Sequence, residues 1–423
     1  SYMWALSGHR MRRTMETEGV AIRKRGRPIP DHCHMHKMLR CRFSEADMAY
    51  LRRFRLERFL TSLMSMVEPF SQRRNTMKRY VGIDVAQEQC ALCIVDDAGT
   101  ILFEGSCATD PDKIVHTIAA EVGDGEKIVH ESGPLSIWLT RELIKRCAPV
   151  VCIDARAAHK VLSARMNKSD KSDAVGLAQL ARTGWYGEVH VKSEARDQLR
   201  LILSARERLI RIRMDIEGQV RGLLKAYGIR LGPVNAGYSR KSFRDQLWLA
   251  IKGVPSLEMI FASLITVHET VCLETTAIDA RVQRLAKDSP LARRLTSIPG
   301  VGPIVSLSFI ATIDDVARFG KATDVGAYLG LTPRRYQSGE TDWSGRISKR
   351  GDGAMRKLLY EAANILIQRV ARFSPLKAWA MRLVARRGMK KAIVATARKL
   401  AVIMTRIWRD GTTFAWTKEE LPA

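Results

Sequence analysis

Tyr80–Val85 reads YVGIDV, and with the runs that follow it, CALCIVDD (90–97), ILFEGSCAT (101–109), DPDKIVHTIAAEV (110–122), KIVHES (127–132) and VVCIDA (150–155), it decides the fold. The first three runs are short, apolar and rich in β-branched residues, and they follow one another directly, as adjacent strands do. DPDKIVHTIAAEV has a helical pattern, KIVHES is a fourth strand, Leu135 to Arg146 is predicted helical, and VVCIDA supplies a fifth strand. Three neighbouring strands followed by alternating helices and strands describe a mixed α/β sheet domain. A last helix, DKSDAVGLAQLAR, starts after a cap at Ser169 or Asp170 and carries Val175, Leu177, Ala178 and Leu180. The whole domain is expected to span residues 77–190.

On either side of it the composition changes. Residues 1–76 are rich in Arg and Met, contain RKRGRP (23–28) and DHCHMH (31–36), and show no sustained periodicity. They are expected to form a basic, disordered N-terminal extension, and Met77, opening MKRYVGIDVA, reads as a natural start. His32, Cys33, His34, His36 and Cys41 are zinc-type ligands, but no second pair follows at finger spacing. Beyond the sheet domain, residues 193–227 place Leu199, Ile202, Leu203, Leu209, Ile212, Ile216, Val220 and Leu223 at helical spacings among many Arg, and Met259 to Ala286 repeats the style. A helical hairpin or coiled coil is expected over 191–290. From 291 to 423 a mostly helical third region is expected. It contains IPGVGP (298–303), in which Gly300 and Gly302 resemble half of a helix-hairpin-helix, a turn whose backbone N–H groups approach a phosphate.

The chain has 423 residues, with 70 Lys plus Arg against 44 Asp plus Glu, a formal charge of +26. A polyanionic partner is the economical reading of that excess. No uninterrupted apolar run reaches the roughly 18 residues of a membrane span, and no secretory signal is evident, so a cytoplasmic protein without a membrane partner is expected. Eight cysteines lie mostly in apolar segments and suggest reduced thiols. Cys90 and Cys93 form C-x-x-C, yet in a strand they would face opposite sides of the sheet.

Four acids stand out. Asp84 ends YVGIDV and Glu131 ends KIVHE, both in apolar strands where a carboxylate must be paired, solvated or metal-bound. In a sheet of this order the first and fourth strands can lie side by side. Asp170 and Asp173 sit at i and i+3 on the first turn of a helix and share a face. Each has a plain alternative: a turn residue for Asp84, a loop-facing acid for Glu131, an N-cap and a dipole partner for the helix pair. Together they form an oxygen-rich donor set suited to Mg²⁺. A pair of such ions would serve phosphodiester chemistry.

GIDVA, HESGP and NKSDKSDA resemble the spaced motifs of the DEDD transposases of insertion sequences, the IS one-ten group, which is itself similar to the Piv type of DNA invertase. IPGVGP, GAYLGLTPRRYQSG and GRISKRGDGAMRKLL are similar to the C-terminal transposase domain of that family, so the resemblance runs from about Tyr80 to near Arg409. It implies a ribonuclease-H-like domain resembling the RuvC resolvase, a helical coiled-coil insertion and a C-terminal domain with a nucleophilic serine. The four acids then correspond to Asp84, Glu131, Asp170 and Asp173. The serine falls in the stretch Tyr336, Gln337, Ser338, Gly339 and is assigned to Ser338, with Ser344 and Ser348 close by. By its residues alone Ser338 is a turn serine. The resemblance also implies DNA partners, a structured noncoding guide RNA, and dimers or tetramers. Arg334, Arg335, Lys349, Arg350 and Arg356 would bind backbone phosphates, although a charge run of this kind is also an ordinary solvated face. Trp185, Tyr186 and Trp343 could stack on bases or sit in a core.

The expected activity is Mg²⁺-assisted cleavage and rejoining of DNA by an insertion-sequence transposase. The rivals are a RuvC-like nuclease that uses metal-activated water, an inactive nucleic-acid-binding relative, and a sugar-kinase-like ATP site suggested by GIDVA. The last is opposed by the basic charge and by the lack of a second phosphate loop.

Overall fold

The computed structural model describes residues 78–122, 127–163, 169–232 and 240–417. The zinc-type residues between His32 and Cys41, and the N-terminal extension as a whole, lie outside the described residues. The chain divides between Val191 and Lys192 into two compact units.

The first unit carries β1 (Tyr80–Val85), β2 (Gln89–Val95), β3 (Ile101–Ala108), α1 (Pro111–Val122), β4 (Lys127–Glu131), α2 (Ser136–Lys145), β5 (Val150–Ile153), α3 (Ala155–Leu162) and α4 (Asp170–Thr183). Its sheet has the order β3-β2-β1-β4-β5. The first three strands are antiparallel neighbours, while β4 runs parallel to both β1 and β5. This is a mixed α/β sheet domain, as the order of strand and helix patterns predicts. Strand alternation sends Val81, Ile83, Cys90, Leu92, Ile94 and Ile128 to one face, where they bury Ile114 and Ile118 of α1 and Leu139 and Leu143 of α2. The other face is covered by α4. There Cys93 and Val95 meet Ala174 and Ala178, and Val129 and Ile153 meet Leu177, Leu180 and Ala181. Cys90 and Cys93 are both fully buried on opposite faces, as the alternation requires, and all cysteines among the described residues are free.

The second unit is helical: α5 (Glu194–Leu224), α6 (Arg240–Ile251), α7 (Pro255–Asp288), α8 (Pro290–Thr296), α9 (Pro303–Ile313), α10 (Asp324–Tyr328), α11 (Gly353–Gln368), α12 (Pro375–Arg387) and α13 (Met389–Asp410). One hairpin, β6 (Pro333–Ser338) with β7 (Thr341–Ile347), interrupts it. Two clusters organise this unit. Ile216, Val220 and Leu224 of α5 pack with Phe243 and Leu247 of α6 and with Leu257, Phe261 and Ile265 of α7. The larger core surrounds α9, nearly all of whose side chains are buried, and is closed by α11 and α13 through Leu359, Leu366, Leu400 and Met404. By length and composition alone α7 holds a window apolar enough to match a membrane span, contrary to the expectation from uninterrupted apolar runs. The buried residues Leu257, Phe261, Ile265 and Val282 instead turn one side of it to protein.

Candidate active site

The first unit brings the strand acids together by topology. β1 and β4 are in parallel register up to Ile83 opposite His130, so Asp84 and Glu131 are the next residues on adjacent strand ends. Both belong to the side of the sheet that α4 covers, since Ile83 and Ile128 fill the opposite core. Both are half-buried. Behind them His130 is fully buried, with Nε2 2.8 Å from Thr140 Oγ1 and Nδ1 3.1 Å from the Glu131 carbonyl oxygen. Burial pushes its imidazole below the ordinary histidine value against an opposing hydrogen bond to the Glu131 backbone. It serves as an uncharged fastening of the strand end that carries Glu131.

The helix acids arrive through α4, which runs antiparallel to β1. Near its C-terminal end Arg182 reaches the Asp97 carbonyl beside the start of β1, and at Ala174 and Ala178 its backbone touches Gly82. The two-residue advance from Gly82 to Asp84 is about 6.6 Å. That equals about four helical residues, which brings Asp84 level with the turn bearing Asp170 and Asp173. Gly82 makes this approach possible. A Cβ there would fall inside contact distance of the Ala174 carbonyl oxygen and the Ala178 amide nitrogen. Sequence reasoning missed this role, although a glycine inside a strand is itself a sign of close backbone approach.

The cap of α4 changes the standing of the two aspartates. Ser169 is the N-cap: its hydroxyl accepts from Ser172 N at 3.2 Å, and Ser172 Oγ accepts from Ser169 N at 2.9 Å, a reciprocal capping box. Asp170 and Asp173 are thereby relieved of capping. Asp170 is exposed and Asp173 half-buried. The four acids occupy one end of one sheet face, but among the described residues no three His, Cys, Asp or Glu stand close enough to hold an ion. In chemistry the set fits a hard divalent cation, with carboxylate oxygens throughout.

In the second unit Ser338 is the last residue of β6, exposed, and paired with Thr341 across the turn Gly339-Glu340. Gly339 has φ +54°, the first central position of a type II′ turn, which explains the glycine after the serine. Alternation along the hairpin puts Ser338 on the face of Tyr336, Trp343 and Thr341. Ser344 falls on the other face with Asp342 and Arg335. Arg335 makes a two-pronged pair with Asp342 at 2.9 and 2.6 Å, which holds that carboxyl below its usual range. Ser348 stands at the base, its N–H donating to the Thr332 carbonyl.

The predicted phosphate ligands separate. Arg334 donates to the Ser348 carbonyl at 3.2 Å, and Lys349 and Arg350 are exposed. Arg356 turns inward: its Nη1 donates to the carbonyls of Leu329, Arg350 and Gly351 at 3.2, 2.8 and 3.0 Å, clamping the base of the hairpin. Gly300 has φ +87°, and a Cβ on it would strike the Ala362 carbonyl oxygen, so its close approach is to α11. Gly302, the N-cap of α9, has open space around it. Trp185 is 76% exposed, whereas Tyr186 lies against the α4 core.

Both halves of this geometry fall within stretches that match known transposases. A family profile for the DEDD transposases of the IS110 kind matches residues 81–229, which hold all four acids. A second, for the transposase IS116/IS110/IS902 family, matches residues 292–378, which hold the glycine turn and the hairpin. The chain belongs to the IS116/IS110/IS902 family of transposases. Over 343 residues this transposase is 28% identical to the transposase for insertion sequence element IS1111A of Coxiella burnetii, covering 79% of this chain and 91% of that one. It is 27% identical to a probable family 20 transposase of Pseudomonas aeruginosa, covering 56% and 71%. A chain from a structure of T. thermophilus RuvC in complex with Holliday junction substrate covers 26% of the transposase and 99% of itself, at 16% identity and a TM-score of 0.21, too low to bear on the fold. The transposase is a DEDD-type enzyme, and its family implies DNA as partner and a divalent metal.

Proposed function

We propose that this transposase cuts and rejoins DNA at the ends of its own insertion element, with Ser338 as nucleophile and Mg²⁺ held by Asp84, Glu131, Asp170 and Asp173. The placement of Asp84 and Glu131 on adjacent strand ends, on the face where α4 presents Asp170 and Asp173, carries the reading. Magnesium bound there would polarise phosphoryl oxygens and favour departure of the leaving oxygen. Ser338 Oγ forms a bond to phosphorus as one P–O ester bond breaks; the hydroxyl proton is lost to a base, and the released deoxyribose oxygen is protonated. Ser338 suits this role because its strand end is exposed and the tight turn after it leaves the hydroxyl accessible. Arg334, Lys349 and Arg350 bind flanking phosphates, while Arg335 and Arg356 chiefly hold the hairpin in shape. The backbone at Gly302 is a further phosphate contact. DNA choice through a structured noncoding guide RNA, and assembly as a dimer or tetramer in the cytoplasm, complete the reading.

The test is covalent capture. The protein is incubated with Mg²⁺, the element's ends and RNA transcribed from its flanks, and protein-linked DNA is sought on a denaturing gel. An adduct lost in both Ser338→Ala and Asp84→Ala, and kept in Ser344→Ala, supports the proposal. Cleavage without an adduct, indifferent to Ser338→Ala, would leave a nuclease that uses water.

A further inference from the structure

Two residues from Ser338, on its own face of the hairpin, Tyr336 and Trp343 stack across the strands with ring centroids 4.3 Å apart and planes 16° from parallel. They are 44% and 53% exposed, and neither packs against a hydrophobic cluster of the described residues. The tryptophans nearest in sequence beyond the hairpin behave otherwise: Trp379, Trp408 and Trp416 lie against the main core. A cross-strand aromatic pair stabilises a hairpin by only about 0.2–1 kcal/mol, and an aromatic–β-branched pair falls in the same range. Large flat rings held almost coplanar in solvent beside a reactive hydroxyl have a second use.

We propose that the Tyr336–Trp343 pair is a platform for one unpaired base of the DNA strand that Ser338 attacks. The inference rests on the reading of Ser338 given above. Three observations support it. Ser338 and Tyr336 are about 6.6 Å apart along the strand, about two of the 3.4 Å rises that separate nucleotides in stacked DNA, so a base two steps from the reacting phosphate reaches the rings. Between Pro333 and Arg350 the cations Arg334, Arg335, Arg346, Lys349 and Arg350 outnumber the anions Glu340 and Asp342, which suits a phosphate-bearing partner. Gly345, the next residue on that face of β7, leaves the rings room to lean toward the hairpin base: a Cβ there would lie 3.2 Å from Tyr336 and 3.3 Å from Trp343. Away from Gly345, the stack's neighbours on that face are Ser338 and Thr341, both small. Every base presents a π-face, so such a platform is tolerant of sequence and fixes the strand in register with the nucleophile.

The experiment uses the full chain with single-stranded DNA 20-mers carrying 2-aminopurine, whose fluorescence is quenched on stacking, with anisotropy as the affinity readout. Wild type is expected to quench the probe. Tyr336→Leu with Trp343→Leu should abolish quenching and weaken binding about 5- to 150-fold. Tyr336→Phe with Trp343→Phe, which keeps two rings, should behave as wild type and shows that the hairpin tolerates substitution. Unchanged quenching in the Leu pair, a Phe pair as defective as the Leu pair, or quenching confined to RNA probes would overturn the platform. Adduct formation at Ser338 is scored in parallel. An adduct that forms equally well with the Leu pair sinks the platform alone, whereas no adduct in wild type removes the reading beneath it.

Discussion

Gly82 in β1 and Ala174 in α4 meet backbone to backbone, with no room for a side chain between strand and helix. Everything at the acid end of the sheet depends on that contact, because it sets how closely the turn bearing Asp170 and Asp173 lies over Asp84. Gly82→Ala must push α4 outward, since its obstacles are main-chain atoms that cannot swing away. The expected loss is about 1–3 kcal/mol in urea unfolding, together with loss of metal-dependent cleavage. Gly133→Ala is the control: a Cβ there meets nothing within 4 Å, and stability should hold within about 0.5 kcal/mol. Equal stabilities for the two variants would refute the close-packing account.

Much of this was open to reading from local pattern. The strands, a helix cap at Ser169 or Asp170 and the opposed burial of Cys90 and Cys93 follow from period-two alternation and capping chemistry, which act within a few residues; the choice of Ser169 over Asp170 needed the structure. The meeting of Asp84 with Glu131 was legible only as a possibility, because parallel pairing across 47 positions of chain is a tertiary event. Arg356 could not be told from Arg350 in the basic run. Whether a guanidinium faces water or turns in to three carbonyls is decided by backbone that folds over it, here at Leu329 and Gly351. Gly300 misled for a related reason: a positive φ and a need for close approach look alike whether the neighbour is a phosphate or the carbonyl of Ala362.

A second prediction concerns the seam between α5 and α7. Glu217 accepts from His268 Nε2 at 3.0 Å and lies 3.4 Å from Arg213, with His268 fully buried. Burial alone would raise the Glu217 carboxyl, but the His268 hydrogen bond and the charges of Arg213, His268 and Arg221 outweigh it and hold the group below the ordinary carboxylate value. A depressed carboxylate stabilises the fold above its ordinary value and loses that contribution as pH falls through the folded value. Glu217→Ala should therefore destabilise by about 3–5 kcal/mol at pH 7, having left His268 and Arg213 without their anion. Glu217→Leu combined with His268→Leu should recover much of the loss. Strictly additive losses in the double variant would show that the two residues do not act as a pair.

Lys192, where the second unit begins, carries the opposite sign of charge and a different pH window. Burial first, then the neighbouring Arg200, with Arg318 adding to them and Asp352 and Asp197 opposing, brings its ammonium down to about 8. The unfolded chain binds that proton up to about 10.4. Stability is thus undiminished above that pH, falls as pH drops toward 8, and levels off below. Lys192→Met should be more stable than wild type at pH 7, with the advantage shrinking between pH 8 and 10.5. Thermal unfolding of the two proteins at pH 7, 9 and 10.5 measures it, and an advantage that grows with pH would contradict the assignment.

The last prediction separates stability from DNA affinity at one residue. Lys349 has φ +56°, a left-handed backbone that costs an L-residue about 1–2 kcal/mol, and it is held there by its N–H donating to the Gly330 carbonyl at 3.1 Å. Its neighbours Gly330 and Gly351 are also left-handed, and a Cβ on either would strike main chain at Arg350 or Tyr328. The segment is therefore fixed by its surroundings rather than by what Lys349 prefers. Lys349→Gly removes the strain but adds about 0.5–1 kcal/mol of backbone entropy to be lost on folding, so a net gain of about 0.5 kcal/mol is expected. The same change deletes a cation proposed to contact phosphate. DNA affinity should fall, and the slope of log affinity against log salt should become shallower by about 0.7–0.9, the value of one released counterion. Chemical denaturation and salt titrations on the same preparation test both halves. A variant that unfolds more easily would refute the strain argument, and one with an unchanged salt slope would remove Lys349 from the phosphate contacts while leaving Arg334 and Arg350 in place.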